Sequence, residues 1–218
     1  MTLKVLLADD HAIVRRGVAQ LLVEVGAASS VIEAETGRDA LSLATRDAFD
    51  VAMLDISLPD INGLDVLKRV KRDVPRLPVL MFSMYREDQY AVRALKAGAS
   101  GYLPKTADPA LMIGAIRQVA AGRKYVSPEM AEALATYVSL DTERMPHEKL
   151  SDREFQTLCM LASGKRLTDI ANALSLSVKT VSVYRARLLD KMKLANNAEL
   201  TFYVMSNRLV DMNPAIAG

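Results

Sequence analysis

Lys4-Val-Leu-Leu-Ala-Asp-Asp10 and Val51-Ala-Met-Leu-Asp55 decide the fold of the first half of this chain. Each is a short apolar run that stops at an acid. Runs of this length without polar alternation are strands covered on both faces. Three more runs share the pattern, which places strands at 4–8, 30–34, 51–55, 79–83 and 101–103. Helical periodicity fills the gaps near 12–25, 38–44, 63–72, 88–97 and 109–120. Five β-α repeats predict an α/β fold over residues 1–121, a doubly wound five-stranded parallel sheet. Function in such sheets gathers at the carboxyl ends of the strands.

The pattern changes after residue 121. Ser127, Pro128 and Glu129 are helix-start residues, so residues 122–149 are expected to hold one helix, to about Val138, and then a linker. Ser139–Lys149 is polar, carries Pro146 and has no apolar period. Residues 150–211 read as a small all-α domain of four short helices. Ser151 with Glu154 forms a capping box at its start. Residues 212–218 are a tail.

Composition narrows the function classes. Half of the residues are hydrophobic, which supports a packed core. No apolar run reaches the roughly 18 residues of a membrane span. The N-terminal run ends in two acids and reads as a strand rather than a secretion signal. The single cysteine, Cys159, sits in an apolar helical pattern and fits a core position in a reducing cytoplasm. Net charge is +2, but residues 146–218 hold ten basic and seven acidic side chains. A basic last third is compatible with nucleic acid and does not establish it.

The predicted strand ends bring five polar side chains to one rim: Asp9 and Asp10, Asp55, Ser83 and Lys105. Clustered carboxylates repel unless a cation joins them, and oxygen ligands suit a hard ion such as Mg²⁺. Asp55 can then act as a carboxylate nucleophile toward a phosphoryl group. Mg²⁺ and the Lys105 ammonium would share the charge on the phosphoryl oxygens, and Ser83 could hydrogen-bond one of them. His11 beside the acids reads as a helix-start residue rather than a metal ligand.

Asp9-Asp10, Leu54-Asp55, Ser83 and Gly101-Tyr-Leu-Pro-Lys105 resemble the receiver domain of two-component response regulators, a flavodoxin-like fold. Asp10-His11 with Arg15 and Gly17, and the Leu58-Pro-Asp-Ile-Asn-Gly63 loop, resemble the NarL/FixJ subfamily. The resemblance implies that Asp55 is the phosphoacceptor. It implies that Asp10, Asp55 and the Ser57 carbonyl ligate Mg²⁺, with Asp9 partly through water. It also implies a coupled motion of Ser83 and Tyr102 on activation. Thr106 after Lys105 departs from the many receivers that carry proline there.

Leu150-Ser-Asp-Arg-Glu154, Gly164, Ile170-Ala171, Leu174 and Lys179-Thr-Val-Ser-Val183 resemble the LuxR (GerE-like) helix-turn-helix. Its second helix spans about Val178–Met192. Helical spacing puts Val178, Val181, Leu188, Leu189 and Met192 on the buried face. The outward face would enter the major groove. Ser182, Val183 and Ala186 are expected at base edges, and Lys179, Thr180, Arg185, Arg187, Lys191 and Lys193 at phosphates or the groove wall. Tyr184 stands where relatives commonly carry histidine.

These readings predict a cytoplasmic transcriptional response regulator, phosphorylated by a sensor histidine kinase, binding double-stranded DNA as a homodimer, and not an enzyme. A phosphatase or phosphotransferase on the same rim is the rival from the enzyme class. A phosphate-independent scaffold or DNA binder is the third reading. Whether phosphorylation frees the DNA domain or pairs two copies stays open.

Overall fold

The computed structural model describes residues 2–85, 87–139, 145–207 and 209–210. The chain divides into two compact units, Met1–Asp141 and Thr142–Gly218.

The first unit is a parallel sheet of five strands in the order β2-β1-β3-β4-β5. The strands are β1 (Leu3–Ala8), β2 (Ala28–Ala34), β3 (Val51–Leu54), β4 (Val79–Ser83) and β5 (Gly101–Pro104). Helices α1 (Ala12–Glu24), α2 (Gly37–Arg46), α3 (Gly63–Asp73), α4 (Glu87–Lys96) and α5 (Pro109–Ala120) connect and follow them. β1, β3 and β4 are apolar because both sheet faces are covered; Val5, Leu6, Val51, Met53, Leu80 and Met81 are fully buried. Register pairs Ala8 with Leu54. The next residues, Asp9 and Asp55, therefore leave the sheet side by side. The strand order reverses between β1 and β3, so both acids stand at the topological switch point.

Local chemistry sets the helix starts. Thr36 accepts from Asp39 N at the head of α2, Asn62 from Leu64 N at α3, and Asp108 from Ala110 N at α5. The segment after α5 returns to the sheet edge, where Tyr125 bridges Gly101. Helix α6 (Pro128–Ser139) follows and packs on α4. It belongs to the first compact unit, where the sequence had grouped it with the linker.

The second unit holds α7 (Asp152–Ala162), α8 (Leu167–Ala173), α9 (Val178–Met192) and α10 (Asn197–Ser206). The Ser151–Glu154 capping box forms at α7. Phe155, Leu158, Ile170, Val181, Leu188, Leu200 and Val204 make its core, and Cys159 is buried there. Two expectations are corrected. Residues Pro146–Lys149, read as linker, form a 3-10 helix, and His147 Nδ1 lies 2.8 Å from the Tyr203 hydroxyl on α10. Val178, read as core, is 44% exposed, because it occupies the first turn of α9 before the helix meets its neighbours. The middle of the expected linker, 140–144, and the tail, 212–218, lie outside the described residues.

Candidate functional site

Asp9 and Asp55 are almost wholly buried at the carboxyl ends of β1 and β3. Lys105, just past β5, inserts its ammonium between them. Nζ donates a 2.7 Å hydrogen bond to Asp55 Oδ2 and lies 2.7 Å from Asp9 Oδ2. The second contact is an ion pair without hydrogen-bond alignment. Burial pulls the Lys105 pKa down, but Asp55 and Asp9 outweigh it and hold the ammonium charged. Asp10 is partly open, and His11 Nδ1 lies 2.7 Å from its Oδ1. Burial raises the Asp10 pKa; His11 opposes the rise, and the neighbouring Asp55 and Asp9 charges add to it.

One ammonium against three carboxylates leaves an excess of negative charge. Asp55 Oδ1 is buried with no hydrogen-bond partner. An orphaned carboxylate oxygen in a buried site is costly unless a cation or donor completes it. One ligand atom from each of Asp9, Asp10, His11 and Asp55 fits within a span of 4.8 Å. This donor set, mostly carboxylate oxygen, fits a hard divalent ion such as Mg²⁺. His11, read from sequence as a helix-start residue, does precede α1, but it makes no side-chain cap. Its ring turns to the acids instead.

The loop after Asp55 is held rigidly. Gly63 N donates to Ile56 O, and a Cβ on Gly63 would stand 1.8 Å from the Asp55 carbonyl oxygen. Only glycine lets α3 start this close to the acid. Asp60 accepts from the backbone N–H groups of Gly37, Arg38 and Ile61. Burial works against its ionisation, but these donors prevail and lower its pKa. Ser57, two residues past Asp55, is half-buried in this loop.

Ser83 is fully buried at the end of β4, and its Oγ lies 3.5 Å from the Tyr85 N–H. Tyr102 on β5 is also fully buried, and its hydroxyl donates a 2.6 Å hydrogen bond to the Tyr85 carbonyl. Burial, then the Asp55 charge, pushes the Tyr102 phenol well above its ordinary pKa.

Arg15 was legible only as part of a motif. It lies on the same α1 stripe as Val18 and Leu22, and all three are buried. That spacing was the available signal. Its guanidinium grips the Asp9 carbonyl, Glu33 and Glu35.

In the second unit, α8, the turn and α9 form the helix-turn-helix. Ser177 caps α9 through Thr180 N, and the two hydroxyls lie 2.8 Å apart. Lys179, Ser182, Val183, Ala186 and Arg187 are exposed. Four other expected DNA-contact residues make bonds or ion pairs within the unit, Lys193 through Asp190 at 3.5 Å. Thr180 bonds the cap, Arg185 Nε donates to Asn197 Oδ1 at 2.7 Å, and Lys191 Nζ donates to buried Glu154 at 2.7 Å.

Residues 5–117 match the model of the response regulator receiver domain. Residues 148–204 match that of the LuxR family of bacterial regulatory proteins. The chain is a NarL/FixJ-type response regulator. The regulator is 35% identical over 210 residues to the response regulator GacA of Pseudomonas aeruginosa, covering 96% of this chain and 98% of the relative. It is 33% identical over 208 residues to the response regulator UvrY of Escherichia coli, covering 95% of each. Among solved structures, a LuxR-family two-component response regulator from Aurantimonas is 32% identical with a TM-score of 0.59; the match covers 64% of this chain and 99% of that one. RcsB of Salmonella enterica, solved on a promoter with a phosphomimetic, has the same fold at a TM-score of 0.62 and 22% identity, over 94% of this chain and 99% of that one.

Proposed function

We propose that the regulator takes one phosphoryl group on Asp55 from a sensor histidine kinase and thereby controls DNA binding by its helix-turn-helix. The single observation that carries this is the Asp9–Asp55–Lys105 arrangement, with an orphaned Asp55 oxygen at the switch point of a receiver sheet. Asp55 attacks phosphorus as the P–N bond of a kinase phosphohistidine breaks, and the imidazole, already protonated on its other ring nitrogen, leaves as the neutral ring. Lys105 holds negative charge on the incoming group, and Ser83 offers a hydroxyl to it. Asp10, Asp55 and the Ser57 carbonyl would hold Mg²⁺, with Asp9 through water; when bound, the ion supplies positive charge to the phosphoryl oxygens. The receiver sheet is joined to a LuxR-type helix-turn-helix, so the aspartyl phosphate is read here as a signal to a DNA-binding unit rather than as an enzyme intermediate.

On α9, Lys179 and Arg187 meet phosphates while Ser182, Val183 and Ala186 face base edges. One small domain makes few base contacts, so a homodimer on two half-sites supplies specificity. Among the described residues no helix is long and apolar enough to cross a membrane. We place the regulator in the cytoplasm with its kinase and duplex DNA as partners.

The test is intact-mass analysis with acetyl phosphate and Mg²⁺, paired with duplex binding. One phosphoryl should add to the wild type and none to Asp55→Asn. DNA affinity should respond to the donor only in the wild type. Full labelling of Asp55→Asn refutes the assignment.

A further inference from the structure

His11 stands at the open flank of the acidic rim. Asp9 and Asp55 are buried, whereas the Asp10 side chain is 34% exposed and that of His11 58%. An ion arriving from solvent meets Asp10 and His11 first. The histidine occupies the N-cap position of α1, where Ser, Thr, Asp or Asn would satisfy a free backbone N–H. It makes no such bond. Its main chain is committed instead. The His11 N–H donates to Asp9 Oδ1 at 2.9 Å, and the His11 carbonyl accepts from Arg15 N at 2.9 Å. With the backbone held on both sides, the ring reaches back over the rim. Nδ1 lies 2.7 Å from Asp10 Oδ1 and 3.3 Å from Asp9 Oδ1.

That spacing suits two ligands of one ion. Atoms about 2.1 Å from a six-coordinate ion, at right angles to each other, stand about 3 Å apart. Ligand atoms of Asp9, Asp10, His11 and Asp55 all fall within 4.8 Å of one another. Asp55 Oδ1, buried in the same rim without a hydrogen-bond partner, points to a cation independently of the ring. The nitrogen changes which ion the set prefers. Mg²⁺ is hard, gives up its waters reluctantly and gains little from imidazole. A mixed nitrogen and oxygen set holds first-row transition ions more tightly, with affinity rising from Mn²⁺ through Co²⁺ to Ni²⁺.

We propose that His11 Nδ1 is a direct metal ligand, so that the acidic rim takes a borderline divalent ion of the Mn²⁺, Co²⁺, Ni²⁺ and Zn²⁺ class more tightly than Mg²⁺. The inference rests on Asp10 and Asp55 forming the cation site. Nδ1 binds through its lone pair, so the ring is the tautomer with its proton on Nε2. The contact between Nδ1 and Asp10 Oδ1 then becomes an ion shared by both atoms. Which metal sits beside Asp55 depends on the transition ions available and not on Mg²⁺ alone.

The test is isothermal titration of the full chain with Co²⁺ and with Mg²⁺, joined to X-ray absorption of the Co²⁺ complex. The wild type should bind Co²⁺ more tightly and show the outer-shell scattering of an imidazole ring. His11→Ala should lose that scattering and at least about tenfold in Co²⁺ affinity, since even an outer-shell partner of a ligand is worth that much. Its Mg²⁺ affinity should change by no more than about threefold. Equal losses for the two ions would mean that the histidine only positions Asp10, and overturn the proposal. Unchanged Co²⁺ affinity in His11→Ala, or a wild-type complex without imidazole scattering, also overturns it and leaves the carboxylate site standing. If Asp10→Asn binds both ions as the wild type does, the cation site itself is misplaced and the role of His11 falls with it.

Discussion

Arg15 Nη1 donates a 2.7 Å hydrogen bond to the main-chain carbonyl of Asp9, from a side chain that is only 4% exposed. Its Nε bonds Glu33 at 2.9 Å, and Nη2 pairs with Glu35. A buried guanidinium thus ties the acidic turn to the end of β2. It sets where Asp9 and Asp10 stand by holding the Asp9 main chain, leaving both carboxylates free of the guanidinium. Arg15→Gln should weaken Mg²⁺ binding by about tenfold or more. Glu33→Gln should lower thermal stability and leave Mg²⁺ affinity near wild type, since the Asp9 contact survives. Isothermal titration checks both; equal Mg²⁺ affinity in folded Arg15→Gln makes the residue structural only.

Gly63→Ala inverts the usual propensity rule. Alanine is the better helix former, yet its Cβ would meet the Asp55 carbonyl oxygen at 1.8 Å. The backbone at Asp55 must move. We expect a stability loss of about 3 kcal/mol by urea unfolding, together with slowed phosphorylation. A stabilised variant would show that the loop relaxes freely.

The basic residues of α9 divide into two groups. Arg187 is exposed, whereas Lys191 is bonded to Glu154 at 2.7 Å. Arg187→Ala should lower affinity on every duplex and reduce the salt slope by about one unit. Lys191→Ala should lower stability of the second unit and leave the salt slope unchanged. A reduced slope for Lys191→Ala would mean that DNA pulls this lysine off Glu154.

The same pair predicts an acid limb to stability. Burial raises the Glu154 pKa, but bonds from Lys191 and Ser151 outweigh it and hold the pKa below the ordinary 4.5. A carboxylate with a depressed folded-state pKa stabilises the fold fully above its unfolded value. That contribution disappears as pH falls through the lowered folded value. The stability of the second unit should therefore fall below about pH 4.5 in the wild type and less steeply in Glu154→Gln. At neutral pH that variant should lose about 1–2 kcal/mol, from half of a capping box and one ion pair. Thermal melts across pH 3–7 (roughly the titration range of carboxylates) measure this; parallel acid limbs would remove Glu154 as the cause.

The strands were legible because doubly covered strands must be apolar along their whole length. Their ends fell within two residues of those observed, as at Leu3 for Lys4 and Ala28 for Ser30. The Ser151–Glu154 capping box was legible because it is local chemistry between residues three apart. Val178 was misplaced because a helical period gives a face but not where along the helix a neighbour begins. His147 was read as linker because its partner, Tyr203, is 56 residues away.

By itself the sequence determined the parallel sheet, the helical second unit, and an acid after β1 and after β3. Apolar length, helical period and capping are local properties, and they carry that information within a few residues. Tertiary structure alone decided which charges meet. It put Lys105 between Asp9 and Asp55, left Asp55 Oδ1 without a donor, turned Arg15 onto Asp9, and set Lys191 on Glu154 rather than free on the surface. It also laid α6 on α4, with Ser127 bonded to Glu87. Each of these contacts joins elements far apart in the chain. Their distances follow from strand order and helix packing, which no local pattern contains.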